Sequence, residues 1–226
     1  MNDSLDLGLK EKVAIIAGAG AKGDGIGNGR AAAILLAEAG AKVVVADKDQ
    51  ELAEKTVQMI SERKGHAVSV AADLTKATDC EKVVEYALNH YGRLDVLDNN
   101  IGIASNLSVV EESEEYWDRV MAVNLKPMFL MSKYAIPAMI SSGGGGSIVN
   151  ISSISATRPK GLTAYSTSKG AVLSLTQAMA VDHGSDGIRV NCILPGPVYT
   201  PMVYASSSYL NQEGMSSEQR SQRQNA

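Results

Sequence analysis

The sequence predicts an α/β fold, a doubly wound parallel sheet in a single domain. Short β-branched runs alternate with longer stretches of helical period, the pattern of repeated βαβ units. The strand-like runs are almost continuously apolar, as expected of strands covered on both faces. Glycines follow several helical stretches, where helix C-caps belong. At 226 residues the chain is long enough for one substantial core.

The elements follow in order. Lys12–Ala17 is a brief apolar run and the first strand; Ile26–Ala39 is a helix closed by Gly40. Lys42–Ala46, built on three valines, is the second strand, followed by a helix over Gln50–Arg63 with Gly65 behind it. His66–Ala71 is the third strand, and the Ala77–His90 helix ends before Gly92. Leu94–Leu97 gives a fourth strand, then Ser113–Met139 reads as one long helix. The glycine run Gly143–Gly146 is a helix-to-strand turn, too short to divide domains. Ser147–Ile151, a helix over Ala164–His183 closed by Gly184, and Arg189–Ile193 complete six strands. The division is therefore one unit over residues 1–202 and a tail over 203–226. The tail is rich in Ser, Gln and Asn and is expected to be mobile or partly disordered, with a possible role as a substrate lid.

Composition excludes several classes of function. A net charge of −4 with both signs interspersed argues against nucleic acid, which needs clustered Lys and Arg. Cys80 and Cys192 lack ligand-like spacing, and His66, His90 and His183 read as structural or solvated, so no metal site is expected. The first residues carry no apolar signal region, and Val13–Ala21 is too short and glycine-interrupted to span a bilayer. A cytoplasmic location without membrane attachment is the expectation.

The first strand runs into Gly18-Ala19-Gly20-Ala21-Lys22-Gly23-Asp24-Gly25-Ile26-Gly27, and a helix follows. Strand, glycine loop and helix occur in the order of a Rossmann-like dinucleotide site. Gly18 permits the tight turn, Gly25 lets the backbone approach a pyrophosphate, and Gly27 allows helix to pack on sheet. A glycine-rich turn without a ligand is the bland alternative. Asp47 closes the second strand, where a carboxylate can accept bonds from ribose hydroxyls and repel a 2′-phosphate. That favours NAD, although Lys22 and Lys48 keep NADP possible. An N-cap of the next helix is the other reading of Asp47.

Tyr165 and Lys169 stand at i and i+4 and project from one helix face. A tyrosine titrates near pH ~10, so it serves as a base at neutral pH only if a cation such as Lys169 stabilises the phenolate. A lone pair at this spacing is commonly structural.

These motifs resemble the short-chain dehydrogenase/reductase family from Lys12 to Met202. The family's Gly-x-x-x-Gly-x-Gly corresponds to Gly18, Gly25 and Gly27, with three extra residues in the loop. The resemblance implies cofactor contacts from Gly18, Gly25, Ile26, Gly27, Asp47, Tyr165 and Lys169. It adds adenine contacts from Asp73-Leu74 and a sheet-stabilising, cofactor-lining Asn99-Asn100-Ile101-Gly102, in which Asn100 binds cofactor. Asp98, where an apolar residue is usual, implies a buried carboxylate with a hydrogen-bond partner. The family's catalytic serine corresponds to Ser153, with Ser152 or Ser155 as alternatives, because the interval to Tyr165 is one residue shorter than usual. Asn124 corresponds to the asparagine of a proton relay, or is a kink-stabilising or solvated residue. Pro195, Gly196 and Thr200 correspond to the segment that contacts the nicotinamide.

The implied activity is hydride transfer between NAD, with NADP possible, and a small-molecule secondary alcohol or ketone, through Asn124, Ser153, Tyr165 and Lys169. Relatives continue with a further helix and strand, so the last strand of the family is expected to be missing. A non-catalytic NAD(P)-binding protein is therefore an alternative, and an isomerase or epimerase with bound NAD is a lesser one. Pairing of the long helices implies a homodimer or homotetramer.

Overall fold

The computed structural model describes residues 7–22, 25–159, 161–198 and 200–201. The expected tail, residues 203–226, lies outside them. Six parallel strands form one sheet in the order β3-β2-β1-β4-β5-β6. They are β1 Val13–Ala17, β2 Lys42–Asp47, β3 His66–Ala71, β4 Val96–Asn99, β5 Gly146–Ile151 and β6 Ile188–Ile193. The helices between them are α1 Asn28–Glu38, α2 Gln50–Glu62, α3 Ala77–Tyr91, α4 Glu114–Asn124, α5 Lys126–Ser141 and α6 Thr163–His183.

Alternate residues of β1 feed two separate cores, which explains why the strand is apolar throughout. Val13, Ile15 and Ala17 pack with Cys80 and Val83 of α3 and Leu130, Met131 and Met139 of α5. Ala14 and Ile16 face the other way, against Ala33, Ile34 and Ala37 of α1 and Ala53 and Ile60 of α2. Crossovers from β1 and β4 diverge to opposite halves of the sheet. The order therefore reverses between these two strands, and a crevice opens at their C-terminal ends.

Three expectations need correction. The long helix over Ser113–Met139 is two helices meeting at Leu125 (φ −115°, ψ −52°). Pro127 lies in the first turn of α5, where its missing N–H costs nothing, whereas in a continuous helix it would remove a bond and clash with the preceding turn. β4 begins and ends two residues later than Leu94–Leu97. Its last residues are the polar but buried Asp98 and Asn99, which an apolar run does not include. Gly65 and Gly184 are not left-handed caps: Lys64 takes the left-handed conformation after α2 (φ 64°), and Gly187 does so beyond α6 (φ 77°). Gly65 is required for space instead, since a Cβ there would lie 2.8 Å from the Ile60 side chain.

Candidate active site

The crevice begins at the glycine loop. Gly18 turns the chain out of β1 with φ +85°. Gly20 donates its N–H to Asp47 Oδ2 at 2.8 Å, and a Cβ at Gly20 would sit 2.7 Å from that oxygen. Asp47 Oδ1 accepts from the Asp49 N–H at 3.1 Å. The N-cap of α2 is Asp49, whose side chain accepts from Leu52 N–H, so Asp47 does not serve as that cap. Each Asp47 oxygen keeps capacity to accept a further bond. Gly27 is the N-cap of α1, with no side chain to fill the position. The close packing of helix on strand falls to Gly29 rather than Gly27: a Cβ at Gly29 would stand 2.2 Å from Gly18 O, against 3.4 Å to the Ala21 side chain at Gly27. Gly25 gives its space to the Pro201 ring, 2.3 Å from where a Cβ would project. Ile26 is exposed in the same loop.

At the other end, Asn100, Ser153, Tyr165, Lys169, Pro195, Gly196 and Thr200 line one cleft. The C-terminal ends of β4, β5 and β6 and the first turns of α6 bring them together. Ser152 donates its hydroxyl to Lys169 O at 2.7 Å, and Lys169 Nζ donates to Ile151 O at 2.8 Å, so the end of β5 and the first turns of α6 are stapled twice. Ser152 is thereby committed to the scaffold. Ser153 faces the cleft beside Tyr165, whereas Ser155 is absent from its lining and donates its N–H to Ser153 Oγ at 3.2 Å.

Asn124 lies one layer below. It is fully buried at the end of α4, where the break before Pro127 places it. Its Oδ1 accepts from Ile103 N–H at 2.7 Å, while Nδ2 donates to Ile103 O at 3.0 Å and to Ser168 Oγ at 3.0 Å. It is neither solvated nor idle, and it fixes the loop after β4 against α6. A buried chain supports β4 and β5 from beneath: Asn99 Nδ2 donates to Asn150 Oδ1, and Asn150 Nδ2 donates to Thr176 Oγ1, both at 2.9 Å.

Burial dominates the electrostatics. It lowers the Lys169 pKa to about 8, with the Cys192 thiol opposing. Burial also raises the Tyr165 phenol, and the Ser153 hydroxyl partly offsets that. Lys169 Nζ stands 5.9 Å from the Tyr165 ring centroid. Asp98 has its partner in Asn100, whose Nδ2 donates to Asp98 Oδ2 at 3.3 Å; among the described residues Oδ1 has none, and burial pushes this carboxyl up to about 6.

Asp73 and Leu74 do not join the cleft lining. Asp73 Oδ1 accepts from the Thr75 hydroxyl at 2.7 Å and Lys76 Nζ stands 3.3 Å from Oδ2, which together hold its carboxyl below the usual range despite some burial. Leu74 is packed in the core. Sequence reasoning missed Gly29, the Ser152 staple and Arg30. Arg30 is fully buried, and a charged residue opening an otherwise apolar helix was the signal for it.

Fold and site together define a doubly wound protein with its candidate site residues at the topological switch point, the place where such sheets bind nucleotides. The model of the short chain dehydrogenase family matches residues 12–210. The chain belongs to that family. It is 42% identical to an uncharacterized oxidoreductase of Thermotoga maritima over 84% of this chain and 73% of the relative. It is 38% identical to cyclohexanol dehydrogenase of an Acinetobacter species, over 86% and 76%. Among solved structures, 7α-hydroxysteroid dehydrogenase complexed with NADH and 7-oxo glycochenodeoxycholic acid matches with a TM-score of 0.82 and 33% identity, covering 91% of this chain and 77% of the other. Among the described residues, no helix is long and apolar enough to cross a membrane.

Proposed function

We propose that residues 1–202 form an NAD(H)-dependent oxidoreductase unit that interconverts a secondary alcohol and its ketone. The observation that carries this reading is the convergence of Ser153, Tyr165 and Lys169 on one cleft beside Asn100 and the Pro195–Gly196 turn. The residues fit a dinucleotide: Gly18, Gly20 and Gly29 have no room for side chains, and the N-terminus of α1 faces the loop they form. Gly18, Gly25, Ile26 and Gly27 would hold the pyrophosphate, Asp47 the adenosine ribose, and Pro195, Gly196 and Thr200 the nicotinamide end. The Gly20 N–H keeps the Asp47 carboxylate in place, so a 2′-phosphate meets a fixed negative charge. NADH is accordingly preferred to NADPH.

A nicotinamide bound there supplies the hydride acceptor or donor. Ser153 donates a hydrogen bond to the substrate oxygen and fixes it beside Tyr165. Tyr165 takes the proton from the alcohol, or returns it to the ketone oxygen. Lys169 spends one N–H on Ile151 O and keeps two for ribose hydroxyls, with its charge near the phenol. Asn124 holds the loop after β4 and α6 at the spacing this transfer needs. Relatives named for cyclohexanol and for a 7α-hydroxysteroid support a secondary alcohol as substrate class.

Tyr165→Phe tests the assignment. Turnover of ketones with NADH is expected to fall by at least about 10³-fold, with NADH affinity within about twofold of the parent. Retained turnover contradicts the role given to Tyr165.

A further inference from the structure

We infer that Arg30 is the positioning residue for the enlarged glycine loop, shaping it to receive a pyrophosphate without touching the ligand. This rests on the dinucleotide reading above and deepens it.

The side chain is the bulkiest of the fully buried residues. Its Nη1 donates to Gly25 O at 2.6 Å and Nη2 to Ala21 O at 2.8 Å, so one guanidinium holds the carbonyls of two loop residues at once. Nε donates to Thr56 Oγ1 at 2.9 Å and Nη2 also reaches Leu52 O at 3.4 Å, which anchors the same group in α2. Thr56 extends the clamp by donating its hydroxyl to Ala19 O at 2.9 Å. The carbonyls of residues 19, 21 and 25 thus all turn toward the α2 side.

A planar trans peptide points its N–H opposite to its C=O, and none of the described peptide bonds is cis. Holding the Ala21 and Gly25 carbonyls inward therefore turns the Lys22 and Ile26 N–H groups to the opposite side of the loop. A cation bonded to a peptide oxygen also polarises that peptide and strengthens its N–H as a donor. Two outward, polarised amides beside a helix N-terminus form a concavity for an anion. Lysine lacks the planar fork needed to hold both carbonyls at once.

The test compares the parent with Arg30→Lys, Arg30→Met and Thr56→Val, each first checked for a cooperative melt. Dissociation constants are measured for NADH and for ADP-ribose, which shares the pyrophosphate but lacks the nicotinamide. Arg30→Met is expected to weaken both ligands at least tenfold, Arg30→Lys and Thr56→Val several-fold. In each, kcat at saturating NADH should stay within about twofold while KM for NADH rises. If Arg30→Met does not fold, Arg30→Lys and Thr56→Val carry the test. Folded variants that bind both ligands like the parent overturn the inference, as does a fall in kcat with unchanged KM. Failure of the parent itself to bind NADH or ADP-ribose sinks the dinucleotide reading along with it; parent binding with unaffected variants sinks this inference alone.

Discussion

Asp98 shows how one side chain sets the behaviour of a buried strand. Its neighbours across the sheet are Ile16 on β1 and Val149 on β5, and among the described residues its hydrogen bond comes from Asn100 alone. Burial raises its carboxyl from the ordinary value near 3.8 to about 6, so the fold favours the protonated form. The native state then binds more protons than the unfolded chain between roughly pH 4 and 6. That stabilisation is complete below about pH 4 and is lost as pH rises through about 6. Asp98→Asn should therefore raise stability by up to about 2–3 kcal/mol at pH 7.5, with the gain vanishing near pH 4. Urea unfolding at the two pH values measures this, and an equal difference at both would refute the assignment. Tyr165, Lys169 and Asp47 could be singled out in the sequence because their signals are local, a helical spacing and a strand end. Arg30 and Ser152 could not be assigned, because their partners are carbonyls on α2, the glycine loop and α6, which no local pattern brings together.

At the scale of elements, the breaks carry the chemistry. The end of α4 before Pro127 puts Asn124 under the cleft, and the switch from β5 to α6 is secured by Ser152 and Lys169. Helical period extended across Leu125 because apolar residues recur at helical spacing in both halves, and a proline alone does not mark the break, since Pro137 stands inside α5. The strand runs were readable wherever both faces are apolar, and β4 drifted where its last residues became polar. The turn after α2 is a weak point, since Lys64 holds a left-handed backbone that its Cβ disfavours. Lys64→Gly is expected to add about 0.5–1 kcal/mol, seen as a higher denaturation midpoint with an unchanged slope. A lower midpoint would mean that the lysine side chain contributes more than its backbone strain costs.

In the whole molecule, the two halves of the sheet contribute separately. The half with β1 to β3 supplies the glycine loop, Asp47 and the Arg30 clamp, and the half with β4 to β6 supplies Ser153, Tyr165 and Lys169. Alternating strands and helices predicted the class, but the strand order that sets these halves side by side depends on long-range packing that periodicity does not encode. Phe129 on α5 and Val181 on α6 are exposed; if the long helices pair between copies as expected, light scattering should register a mass of at least twice 23.8 kDa, and a mass of 23.8 kDa would contradict that assembly. Together the two halves are proposed to make one hydride-transfer site. Its most direct test follows nicotinamide absorbance while the purified protein is offered NADH or NADPH with a panel of ketones that includes cyclohexanone. NADH oxidation coupled to ketone reduction, faster than with NADPH, is the predicted result; NADH binding without turnover of any carbonyl or secondary alcohol would contradict it.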